Sequence, residues 1–169
     1  MVKVLVPVDG SPNSMYAVRH VMQEFAKQRS IEIHILNVQA PLSRHIAQFV
    51  SRKSRASFHA DEAAKALLPV RRALDDAGVP YSAHIETGKK AVVIAEMAGK
   101  LGCDHIVMST ARKNSFTRML QASVTNQVLE LTTVPVAVVA GDAVSKLERY
   151  GIPAGVGGAM ILMLLAVAD

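Results

Sequence analysis

One cysteine, no tryptophan and four phenylalanines in 169 residues remove several classes of protein at once. A single thiol cannot close an internal disulfide, and no Cys/His cluster has zinc-ligand spacing, so neither crosslinks nor a structural metal is expected to hold the fold. Cys103, in Leu101-Gly-Cys-Asp ahead of an apolar run, reads as a buried structural thiol. Few aromatics mean few platforms for stacking bases. The positive charge, 19 Lys and Arg against 14 Asp and Glu, is scattered apart from Arg52, Lys53 and Arg55 near Arg44 and His45. Basic charge without interleaved aromatics reads as a solvated face, so no nucleic-acid partner is expected.

Motifs of catalysis are also missing. The six histidines fall on different elements, and neither H-E-x-x-H nor G-x-S-x-G occurs. No catalytic residue and no metal ligand is therefore assigned. The opening Met1-Val-Lys-Val-Leu has no basic leader or long apolar core, which points to a cytoplasmic protein. Half the residues are apolar and a fifth charged, which excludes disorder and suits one domain with a real core.

Strands alternate with helices along the chain. Val2 to Val8 is an almost unbroken apolar run, the pattern of a strand buried on both faces. Asp9-Gly-Ser-Pro follows, with Ser11 placed to cap a helix and Pro12 harmless in its first turn. Met15, Val18, Met22 and Phe25 then mark an apolar face on a helix over 13–28. Ile31 to Val38 is a second strand. Ala60, Ala63, Leu67, Val70, Leu74 and Ala77 mark a second helix, which Pro69 is expected to kink or weaken. Gly78 and Pro80 close it. Tyr81 to Thr87, Asp104 to Thr110 and Val134 to Ala140 are further strands. Between them lie helices over 90–101 and 123–131, the latter using Val124, Val128 and Leu131. A basic, polar loop is expected over 111–121.

This βαβαβαβαβ order implies an open parallel sheet covered on both faces. If the strands lie 3-2-1-4-5, a ligand crevice opens beyond the carboxyl ends of strands one and four, where the order reverses. Asp9 is then the carboxylate of most interest. Two roles are open to it: binding a ribose hydroxyl, or fixing the turn into the first helix. The loop after strand four carries Arg112, Lys113 and Arg118 ahead of a helix start near Ser123, where phosphate could be held. From Ser109 to Leu131 there is no glycine, although a backbone cradle for phosphate normally needs it.

Val4-Leu-Val-Pro-Val-Asp-Gly-Ser11, Asp104-His-Ile-Val-Met-Ser-Thr110, and Ala122-Ser-Val124 leading to Val134-Pro-Val-Ala-Val-Val139 together resemble the universal stress protein domain. The resemblance covers residues 2–141 and implies a Rossmann-like, five-stranded fold, commonly a homodimer joined through the last strand, here Val134 to Ala140. Pro135 suits such an edge. It also implies ATP or another adenine nucleotide as ligand, with Pro7, Val8, Asp9 and Val38 at adenine and ribose, and Met108, Ser123 and Val124 near the phosphates. Many members carry a Gly-x2-Gly-x9-Gly-Ser/Thr motif after strand four. Its glycine positions fall here on Ser109, Arg112 and Ala122, and only Ser123 is kept. The expectation is a stress-response regulator with weak or no ATP binding. The alternative is a nucleotide-responsive module or slow ATPase using Asp9, Arg112 and Lys113. A phosphate-accepting receiver domain is rejected for want of paired acids after strand one and a lysine after strand five. An ATP pyrophosphatase is rejected for want of a glycine-serine loop after strand one.

Residues 142–169 form an extension outside the resemblance. Ile152 to Ala168 is uncharged and would span about 26 Å as a helix, short of a hydrocarbon core of roughly 30 Å. Two readings stand: an anchor holding a cytoplasmic domain at the inner membrane, or a segment packed against a partner subunit.

Overall fold

The two apolar faces of each central strand are matched by helices on both sides. A computed structural model of the chain describes residues 1–43, 48–112 and 124–143. Its elements run β1 (Val2–Pro7), α1 (Ser14–Lys27), β2 (Ile31–Gln39), α2 (Arg52–Asp76), β3 (Tyr81–Thr87), α3 (Lys90–Leu101), β4 (His105–Arg112), α4 (Val124–Leu131) and β5 (Val136–Ala143). All pairings are parallel, in the order β3-β2-β1-β4-β5. The expected fold class and strand order are both observed.

Alternation within the strands builds two cores. Val4, Val6 and Val8 join Ile31, Ile33 and Ile35 beneath α1 and α2, through Ala17, Val18, Val21, Leu67, Val70 and Leu74. Leu5, Leu36 and Val38 face the other way with Ile106 and Met108, beneath Ile94, Met97 and Ala98 of α3 and Val128 of α4. Such period-two sorting of a continuous apolar run is what a doubly covered strand requires. Cys103 is buried in the second core, and that burial pushes its thiol above the ordinary value, as expected for a structural cysteine. Asp104 ties β4 to β1. Its carboxylate accepts from the Lys3 N–H at 2.7 Å and its own N–H donates to the Lys3 carbonyl at 2.8 Å.

Several boundaries differ from the sequence reading. Regular helix begins at Ser14, yet the Ser11 hydroxyl accepts from the Ser14 N–H at 3.3 Å, the bond expected of a capping serine. In α1 the buried stripe centres on Ala17, Val18, Val21 and Phe25, leaving Met15 and Met22 only partly covered. Helix α2 runs through Pro69 without interruption. Pro69 is exposed, so the carbonyl it deprives of a donor faces water, and the Leu67, Val70, Leu74 seam holds both halves to the sheet. In α4 Val128 is buried, but Leu131, on the last turn, is 54% exposed. Strand β5 starts two residues later than expected, after the Thr132 hydroxyl accepts from the Val134 N–H at 3.1 Å.

The largest difference lies in β4, which continues through Ala111 and Arg112 instead of entering a loop. Thr110 pairs with Ala140 and Arg112 with Ala143, with a register shift between them. Polarity suggests a loop there, but pairing to β5 supplies the backbone partners that keep it extended. Of the C-terminal extension, 144–169 lies outside the described residues, and with it the Ile152 to Ala168 tail. Among the described residues no helix is long and apolar enough to cross a membrane.

Candidate functional site

Because β1 lies between β2 and β4, the turn after β1 sits at the rim where chain direction across the sheet reverses. Such a reversal leaves a crevice, since the connections on either side lead to opposite faces. The Asp9 turn and the end of β4 are thereby brought to one edge of the sheet. The Asn13 carboxamide and the Thr110 carbonyl also close on Gly141 of β5: a Cβ at that glycine would lie 2.6 Å from Asn13 Oδ1 and 3.1 Å from the Thr110 oxygen.

The turn itself is fixed from two sides. Asp9 Oδ1 accepts from the Ser11 N–H at 3.0 Å, an Asx-type turn that carries the chain from strand to helix. Burial acts to raise the Asp9 carboxyl, but bonds from Ser11 and the charge of Lys90 outweigh it and hold the group below its ordinary value. Asp9 is therefore an ionised, exposed acceptor. A carboxylate has two oxygens and about four acceptor positions, so the turn bond does not exhaust it. The two roles open to Asp9 are compatible.

From below, the Val8 N–H donates to the Leu36 carbonyl at 2.8 Å, continuing the β1–β2 ladder. Asn37 is 1% exposed. Its Nδ2 donates to the Val8 carbonyl at 2.8 Å, and its Oδ1 accepts from Gln39 Nε2 at 2.6 Å. A buried amide so placed sets the plane of the peptide that leads into Asp9. Sequence reasoning does not single out Asn37, whose signal is one polar residue inside an otherwise β-branched strand. Nor does it single out Lys90, in the first turn of α3, whose charge reaches Asp9.

The other expected site residues separate into groups. Val38 and Met108 are buried on the α3/α4 face, with Val124 packed against the same core. Pro7, of the same strand parity as Leu5, is partly exposed at the end of β1. The Val8 side chain turns the other way, into the core under α1 and α2, so it offers the rim its backbone only. Ser123 and Lys113 lie outside the described residues, as does Ala122. Ser109 and Arg112, at two of the motif's three glycine positions, are strand residues paired with β5, and no non-glycine residue among those described has positive φ.

Two histidines of neighbouring strands meet on the sheet: His34 Nδ1 and His84 Nε2 are 3.1 Å apart. Burial, and then the neighbouring His34, push His84 below its ordinary value. Glu32 Oε1 lies 3.1 Å from His34 Nε2 without hydrogen-bond geometry. The pair lies at strand positions 34 and 84, away from the rim residues.

Three comparisons bear on this geometry. The model of the universal stress protein family matches residues 1–140. Among solved structures, hypothetical protein MJ0577 is 26% identical over 83% of this chain and 96% of its own, with a TM-score of 0.67. A universal stress protein in complex with cAMP is 23% identical over 82% and 96%, with a TM-score of 0.62. A universal stress protein family protein from Arabidopsis thaliana with AMP bound is 18% identical over 92% and 97%, with a TM-score of 0.59. The last two likenesses are of fold. No curated protein matches the sequence significantly.

Proposed function

The chain belongs to the universal stress protein family, and from that starting point we propose that it is a homodimeric regulator, acting by binding rather than turnover, whose rim site holds the nucleoside part of an adenine nucleotide and grips polyphosphate weakly or not at all. The observation that carries this reading is the course of β4. Where the family motif places glycines, Ser109 and Arg112 sit in the extended backbone of β4, in register with β5. A phosphate cradle needs backbone N–H groups turned toward the ligand, usually through glycine in conformations closed to other residues. Extended backbone turns successive N–H groups to opposite sides and does not gather them on one ligand. The nucleoside half keeps its means: an ionised Asp9 for a hydroxyl, and the apolar side chains of Val38, Met108 and Val124. The AMP-bound and cAMP-bound relatives of the same fold support a ligand of that size.

Thermal melting of the full chain with millimolar adenosine, AMP and ATP-Mg tests this. The expected result is that ATP raises the melting point no more than AMP. A ligand at one hundred times its Kd adds about 2.7 kcal/mol, so a tight ATP site would stand out. ATP binding much tighter than AMP would restore the reading in which Arg112 and Lys113 hold phosphate.

The dimer is proposed through β5. It is an edge strand, with Val138 45% exposed and Leu129 and Leu131 of the adjacent α4 also exposed. The Ile106 N–H donates to the Pro135 carbonyl, so by strand alternation Ala137 and Val139 point their amides at β4, and Val138 points outward. Val138→Pro removes that outward donor and spares the internal ladder. Two symmetric bonds at about 1–1.5 kcal/mol each predict a dimer affinity weakened by about a hundredfold. Sedimentation should show a monomer that melts as the native fold does. A variant still dimeric at the same concentration removes β5 as the interface.

A further inference from the structure

A second cleft opens at the far side of β2 from β1, and its lining shares no residue with the rim site. It measures about 320 Å³ and is lined by Pro41 and Leu42 after β2, Arg52, Arg55 and His59 of α2, and Thr87 at the end of β3. We propose that this cleft is a binding site for a phosphate group, free or carried on a small molecule.

The placement follows from the chain. Positions 52, 55 and 59 are spaced i, i+3, i+7, so one face of α2 carries all three in its first two turns. That face meets the end of β3 because α2 returns along the sheet to β3. The start of α2 adds to the positive field: Ser51 caps the helix, its side chain accepting from the Ser54 N–H at 3.1 Å. Two arginines, a histidine and a threonine share the lining, residue types that suit a tetrahedral dianion.

Two of these donors lack partners among the described residues. Arg55 Nε and His59 Nδ1 are cut off from solvent, and neither makes a hydrogen bond there. Among the described residues no carboxylate forms an ion pair with Arg52, Arg55 or His59. A buried N–H without an acceptor costs free energy, and a guanidinium gathered with a second one repels it unless an anion intervenes. Arg52 is exposed, as on a solvated basic face. Arg55 and His59 are half-buried instead. The volume is at the lower end of the range for small-molecule sites. It admits a phosphate and a short body, for which Pro41 and Leu42 supply an apolar wall.

Titration calorimetry of the full chain with inorganic phosphate, at constant ionic strength set by chloride, tests the proposal. One saturable site per chain is expected, with acetate binding far more weakly. Arg55→Gln and His59→Gln, each of which replaces a partly exposed residue and should fold, are expected to weaken phosphate by about tenfold to a hundredfold. Asp9→Ala should leave it unchanged, which separates this cleft from the rim. Parallel titration with glycerol 3-phosphate distinguishes the sources. Tighter binding than inorganic phosphate assigns a phosphorylated small molecule, and equal or weaker binding assigns the free ion. A merely linear response to phosphate, affinity unchanged in both α2 variants, or loss of binding in Asp9→Ala would each overturn the assignment.

Discussion

Gly10→Ala is expected to destabilise the fold by about 3 kcal/mol and to loosen the rim site with it. Gly10 has φ +79°, a conformation in which an L side chain is strained, and a Cβ there would lie 2.9 Å from the Ala66 Cα and 3.1 Å from its Cβ. The two costs are separate. Left-handed backbone with a side chain costs about 1–2 kcal/mol, and forcing a methyl against a packed helix costs about 1–3 kcal/mol. Reduced freedom of the unfolded chain returns a few tenths to about 1 kcal/mol. Ala66 belongs to α2 between the buried Ala63 and Leu67, so the clash is with backbone that the core holds in place. The midpoint of thermal unfolding should fall by roughly 6–12 °C. Gly78→Ala is the control. Gly78 has φ +63°, but a Cβ added there would meet nothing within 4 Å, so it should show the backbone cost alone. Equal losses at the two positions would mean that α2 yields and that the contact with the Asp9 turn is soft. If the contact is stiff, Gly10→Ala also displaces Asp9, and adenosine should bind more weakly while Gly78→Ala leaves it unaltered.

Most of the architecture is legible because it rests on local signals. Val2 to Val8 is a short apolar run that suits a strand covered on both faces, and the alternation of strands with amphipathic helices leaves few arrangements of the sheet. The rim follows from topology: once β1 and β4 are neighbours, the residues after Pro7 and near Met108 must share an edge. What the sequence conceals are contacts across elements. Val8 belongs to the expected site, but strand parity sends its side chain to the opposite core from Val38 and Met108. The segment around Arg112 is basic and polar, as a loop would be, and only pairing with Ala143 makes it a strand. Lys90 carries no signal of its own, since its charge matters through Asp9, which lies on a distant part of the chain. The cluster at Arg52 and Arg55 is visible, but Thr87, the opposite wall of its cleft, comes from another strand.

Asn37→Leu is the sharper test of how the rim is held, with an expected loss of about 2 kcal/mol. The substitution keeps the side chain's size and removes its bonds. The Val8 carbonyl then loses the Nδ2 donor at 2.8 Å, in a position where water does not reach: Val8 is 4% exposed and Asn37 1%. Leaving a buried polar group without its partner costs about 1–3 kcal/mol, and added apolar burial offsets a part of that. Gln39 loses its acceptor too, but it is only half-buried and can turn to water. The effect on binding should exceed the effect on stability, because the peptide freed is the one that orients Asp9. Asn37→Asp separates the two explanations by pH. Burial and the facing Val8 carbonyl would raise the new carboxyl above its unfolded value, so folding is favoured while the group stays protonated. Stability should then be greatest in acid and fall as pH rises through the raised value, opposite in sign to the native Asp9 carboxylate, which is held low. Denaturant melts at pH 4 and pH 7 read this directly. A variant as stable at pH 7 as at pH 4 would show that position 37 is open to water and that Asn37 does not clamp the turn.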